Sequence, residues 1–156
     1  PIETRPGKPL LGDQRDCKKV IDALGPSIRQ FPDSAVVLVG HGTHHPQGIA
    51  MYQQFQACLQ ERFPENVYLC MVEGEPSWDA ACRNIRRSRP RHVLFLPFML
   101  VAGIHMMEDV LGSDEHSWRS GLQGYRISAA GEGLGWNAGI RDIYKEHIRS
   151  ALSVPG

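Results

Sequence analysis

Apolar residues change rhythm along this chain. Cys17, Val20, Ile21, Leu24 and Ile28 recur at helical spacing behind Asp13, a side chain suited to capping a helix start. A continuous apolar run at 35–39 then has the character of a parallel strand covered on both faces. Tyr52, Phe55, Leu59 and Phe63 return to the helical period and stop near Pro64. The alternation repeats with a strand at 67–72 and a helix marked by Trp78, Ala81, Cys82 and Ile85, which must end before Pro90. A third strand at 92–96 continues irregularly past Pro97 towards Val101. A broken helical stretch follows, interrupted at Gly112 and Ser113 before Trp118 and Leu122. A fourth, less apolar strand is expected at 125–130. Asn137 then caps a last helix through Ile140, Ile143, Tyr144, Ile148 and Leu152.

Strands alternating with helices in this way predict an α/β fold, a four-stranded parallel sheet flanked by helices with right-handed crossovers. Residues 1–12 contain three prolines and two glycines and read as a linker, leaving 13–156 as one domain. A chain of 156 residues suits that reading, since two comfortable cores would need more.

Charge narrows the choice of partners. Seventeen basic residues balance seventeen acidic ones, which argues against nucleic acid or a membrane surface held by bulk electrostatics. No apolar run approaches the roughly 20 residues needed to span a bilayer, and no signal-peptide pattern is visible. The cytoplasm is the expected compartment; a first residue that is Pro1 rather than Met leaves the periplasm open. The cysteines Cys17, Cys58, Cys70 and Cys82 lack CxxC spacing and fall inside expected helices and strands, so they read as buried free thiols.

In open parallel sheets, ligands bind beyond the carboxyl ends of the strands. The residues expected there are Gly40-His41-Gly42-Thr43-His44-His45, then Glu73-Gly74-Glu75, then Gly103-Ile104-His105 with Glu108 and Asp109, then Gly131-Glu132-Gly133. His41 to Glu73 is 32 residues and Glu73 to His105 is 32, about one βα unit each time. One donor per unit would bring two imidazoles and a carboxylate together. That set suits Co²⁺, Ni²⁺, Fe²⁺ or Zn²⁺ and leaves coordination positions open. His44 and His45 read equally as substrate contacts, as supports of the ligands, or as solvated loop residues. Glu108 and Asp109 would share a helical face with His105, orienting it or accepting protons, although acidic residues also simply suit a first helical turn. Glu75 competes with Glu73 by proximity. The arginines Arg83, Arg86, Arg87, Arg89 and Arg91 read first as a solvated helix end.

The strings GHGTHH, VEGEP, LPFMLVAGIH, DEHSW and GEGLG occur in this order and together resemble the anaerobic-type sirohydrochlorin cobaltochelatases of the class II chelatase superfamily. The similarity runs from about Ala35 to Leu152. It implies a chelatase-like domain that inserts Co²⁺ into sirohydrochlorin in anaerobic cobalamin biosynthesis without a nucleotide. It also implies His41, Glu73 and His105 as metal ligands, with His41 and His105 as proton acceptors; His44, His45 and Glu108, close to these in sequence, are expected on the substrate side. Two positions depart from the family pattern. Ile104 stands where that pattern has a carboxylate, and Glu108-Asp109 stands where it has Asn-Asp. Family members of this type carry two similar α/β halves, and this chain matches the C-terminal one. The expected partner besides sirohydrochlorin is therefore an N-terminal half or a second copy. An iron or nickel chelatase, or a non-catalytic metal or tetrapyrrole carrier, is the alternative.

Overall fold

The computed structural model describes residues 4–103 and 106–153. Helix α1 spans Gln14–Arg29, strand β1 Ser34–Gly42, helix α2 Pro46–Arg62, strand β2 Val67–Glu73 and helix α3 Trp78–Ser88. Strand β3 follows at His92–Pro97, strand β4 at Arg126–Ala129 and helix α4 at Ala138–Leu152. A single π-type turn at Met106–Val110 and a 3₁₀ turn at Trp118–Leu122 fill the space between β3 and β4. The order across the sheet is β2-β1-β3-β4 and all pairings are parallel. The α/β fold expected from the alternation is the fold observed.

Local chemistry sets the helix starts. The Asp13 carboxylate accepts from the backbone N–H groups of Arg15 and Asp16 at 2.9 and 3.0 Å, satisfying two donors that a first helical turn leaves orphaned. Asn137 does the same for α4 through Ile140 N–H, and its amide also donates to the Ala23 carbonyl, tying α4 to α1. At its other end α3 closes on Arg89 in the left-handed region, immediately before Pro90.

Alternation along β1 divides its side chains between two cores, as a period of two requires. Val36 and Leu38 join α1, α2 and α4 on one face, with Val67, Leu69, Met71, Leu94 and Phe98. Ala35, Val37 and Val39 join α3 and the 3₁₀ turn on the other, with Cys70, Val93 and Phe95. There Trp78 and Trp118 stack, ring centroids 4.9 Å apart and planes within 2° of parallel, with Phe95 tilted against both. All four cysteines are free and buried.

Three details depart from the reading of the sequence. β1 runs on through Gly42, because Gly40 pairs with Met71 and Gly42 with Glu73. His41 is thus the penultimate residue of β1, not a loop residue, and Glu73 ends β2. Residues 4–12 lack regular secondary structure, yet Leu10 and Leu11 are buried in the first core. On α4 the buried face is Ile140, Ile143 and His147, while Ile148 and Leu152 are more than half exposed.

Candidate metal centre

From the central strand β1 the chain crosses to β2 on one side, then returns past β1 to β3 on the other. The connections therefore diverge at the carboxyl ends of β1 and β3, leaving a crevice between them where ligands of open α/β sheets bind. A cavity of about 420 Å³ opens there, lined among others by His41, Thr43, Met51, Tyr52, Phe98 and Leu134. Its walls are mainly apolar, and His41 is its imidazole. Burial pushes the Tyr52 phenol up from its ordinary pKa, with Tyr144 across the cavity adding to the effect. The loop after β3 and the short turn at Leu134–Trp136 form the rim. Leu134 N–H donates to the Met99 carbonyl at 2.7 Å and Gly135 N–H to the Leu100 carbonyl at 3.0 Å. That rim exposes Leu100, Val101 and Trp136, of which Val101 and Trp136 keep about three quarters of their surface in solvent (75% and 73%).

Gly42 keeps the ends of β1 and β2 paired, with Gly42 itself, not His41, opposite Glu73. Its φ of +96° lies where L side chains are strained, and a Cβ there would run into the Glu73 carbonyl. The glycine lets β1 and β2 stay paired to their last residues, so His41 and Glu73 end neighbouring strands. His44 Nε2 stands 3.9 Å from Glu73 Oε2 with both side chains largely in water, a separation at which solvent leaves little net attraction. Glu75 is committed elsewhere: its carboxylate accepts from Ser77 N–H at 2.7 Å, at the start of α3. His45 is the residue before α2, its N–H donating to Thr43 Oγ1 at 3.1 Å. Glu108 and Asp109 lie exposed on the π-type turn.

Among the described residues, no group of three His, Cys, Asp or Glu converges as a metal-binding cluster. His105, expected as the third ligand, lies outside the described residues. Two of the residues lining the cavity, Tyr52 and Tyr144, were legible in the sequence only as helix-periodic core positions. Their phenols, standing beside an imidazole, were not. The arginine-rich end of α3 is partly structural, since Arg86 Nε donates to the Gly121 carbonyl at 2.8 Å. A larger recess of about 700 Å³ follows the outer edge of β2 between α2 and α3, and none of His41, Glu73, His44 or His45 lines it.

A parallel sheet with a crevice at its carboxyl edge lined by one imidazole, and a carboxylate ending the neighbouring strand, belongs with α/β domains of the chelatase-like class. In fold it is similar to a CbiX protein of Marinobacter aquaeolei VT8 ascribed to cobalamin (vitamin B12) biosynthesis, with a TM-score of 0.57 and 24% identity, covering 75% of this chain and 98% of that one. The chain belongs to the cobalt chelatase (CbiK) family, whose model matches residues 3–153. It is 32% identical over 152 residues to the sirohydrochlorin cobaltochelatase CbiKC of Nitratidesulfovibrio vulgaris strain Hildenborough, covering 94% of this chain and 53% of that protein. It is 34% identical over 163 aligned positions to the sirohydrochlorin cobaltochelatase of Salmonella typhimurium strain LT2, covering 95% of this chain and 56% of that protein. The chain spans about half the length of the curated relatives it matches.

Proposed function

We propose that this chain is the metal-presenting half of a sirohydrochlorin cobaltochelatase, which inserts Co²⁺ into sirohydrochlorin in the cytoplasm during anaerobic cobalamin biosynthesis. The observation that carries the reading is His41 at the carboxyl end of β1, lining an apolar crevice at the sheet's switch point, with Glu73 ending the neighbouring strand. The names of its curated relatives support the choice of metal and ring.

The reaction exchanges two pyrrole N–H protons for one metal ion. It needs a metal held loosely enough to leave and a base whose affinity for protons lies near neutral. Imidazole meets both demands. In this reading His41, Glu73 and His105 hold Co²⁺ as substrate, and His41 and His105 accept the protons as metal–nitrogen bonds form. His44, His45 and Glu108 sit on the side from which the ring approaches. The apolar rim of Leu100, Val101 and Trp136 faces the macrocycle or a second α/β half, which comes from the same polypeptide or from a second copy. No nucleotide takes part.

The test is anaerobic incubation of the chain, alone and with a second half, with sirohydrochlorin and Co²⁺, following the absorbance of the metallated ring. His41→Ala should slow insertion by at least about a hundredfold, the lower range for losing a catalytic proton acceptor. Wild-type rates in that variant would overturn the assignment. One-to-one binding without turnover would make the protein a carrier instead. Faster insertion of Fe²⁺ or Ni²⁺ would change the metal.

A further inference from the structure

The polar pair Asp16 and His147, between α1 and α4, takes no part in the chemistry assigned so far, and it is almost wholly enclosed, with 4% and 5% exposure. His147 occupies the position on α4 that helical spacing reserves for a core residue, one turn beyond Ile143 and Tyr144. Its Nδ1 lies 3.2 Å from the Lys8 carbonyl, which can only accept, so that nitrogen donates. Its Nε2 lies 3.2 Å from Asp16 Oδ1 but off the direction of a good hydrogen bond, and neither Nε2 nor Asp16 Oδ2 has a hydrogen-bond partner. The surrounding charges, Lys8, Asp13, Arg15, Lys19 and Glu146, are occupied mainly with one another at the surface.

Such a pair is a poor device for stability. Buried, incompletely bonded ion pairs are often matched or surpassed by apolar residues of the same shape. What this pair does achieve is to attach residue 8 to α1 and α4 at once. The next three residues, Pro9, Leu10 and Leu11, are a wall of the 420 Å³ cavity beside His41, and Tyr144, three residues before His147 on α4, lines the same cavity. Gly7 also lies against α4, where an added Cβ would come within 3.7 Å of the His147 carbonyl.

We propose that His147, backed by Asp16, is a positioning residue: it pins the segment leading into α1 so that Pro9–Leu11 form a fixed wall of the cavity that receives the tetrapyrrole. The pinning is independent of the chelatase reading; only its kinetic consequence rests on that reading.

The experiment uses the chain with Asp16→Leu and His147→Phe together, an apolar pair of similar shape, and His147→Gln, which keeps a donor for the Lys8 carbonyl. Limited chymotryptic cleavage after Leu10 or Leu11, read by mass spectrometry, reports the pinning. The double variant should be cut at least about tenfold faster while its melting temperature is unchanged or higher, because only the local opening equilibrium shifts. His147→Gln should restore most of the protection. In the insertion assay the double variant should raise KM for sirohydrochlorin about fivefold or more with kcat within about twofold, as expected when binding alone is disturbed. Cleavage at the wild-type rate, or faster cleavage with unchanged KM, overturns the proposal. Absence of insertion by the wild-type chain even with a second half supplied would instead refute the chelatase reading, and the cleavage rates would then decide the pinning alone.

Discussion

Replacing Gly42 by alanine should separate the two strands that carry His41 and Glu73, and the structure gives the size of the effect. At a φ of +96° an L residue is strained by about 1–2 kcal/mol, the penalty for placing Cβ against the following carbonyl. The new Cβ would also overlap the Glu73 carbonyl and press on Met71 Cβ at 3.1 Å. Relief requires the ends of β1 and β2 to part, which gives up backbone pairing worth about 1 kcal/mol per hydrogen bond. The sum is about 2–4 kcal/mol, large for one methyl group. Gly131 supplies the control, since a Cβ there meets nothing within 4 Å and its φ is not in the strained range. Gly131→Ala should change stability by no more than about 0.5 kcal/mol. Urea unfolding followed by far-ultraviolet circular dichroism measures both, and Co²⁺ titration of the two folded variants should show weakened binding in Gly42→Ala alone. If the two variants unfold at the same urea concentration, the account of how the paired strand ends are held is wrong.

Two further outcomes are expected. Phe95, fully buried against Trp78 and Trp118, should cost about 3–5 kcal/mol of stability when truncated to alanine, measured by the same denaturation. Asp13 is held down to a pKa of about 2, first by the hydrogen bond from Lys8 and then by the backbone N–H of Asp16. A carboxyl whose folded value is depressed stabilises above its unfolded value, about 3.9, and loses that contribution as pH falls through about 2. Asp13→Asn should therefore flatten the dependence of melting temperature on pH between about 4 and 2.

Much of the fold was readable because periodicity and capping agreed. The run from Cys17 to Ile28 with Asp13 ahead of it could form only one kind of element, and it forms that element. The length of β1 was not readable, since the glycines of 40–42 lower strand propensity; pairing with β2 overrides that preference. The inner face of α4 was misjudged because hydropathy favours Ile148 over His147, whereas the interior at that point contains Asp16 and a backbone carbonyl. Leu10 and Leu11 sit among prolines and glycines that masked their burial. That His41 and Glu73 stand near the carboxyl ends of neighbouring strands was readable from the pattern alone. The approach of His44 to Glu73 was not, because spacing says nothing about which way a loop imidazole turns.

The three tryptophans divide into two optical populations. Trp78 and Trp118, stacked face to face with Trp118 buried and Trp78 partly so, should couple their indole transitions and emit to the blue of an exposed indole, reporting the closure of the core around Phe95. Trp136 stands in solvent on the crevice rim, so its emission should lie to the red and respond to whatever covers that opening. Arrival of a ring or a companion subunit can thus be followed by colour alone, with unfolding visible separately and no label attached.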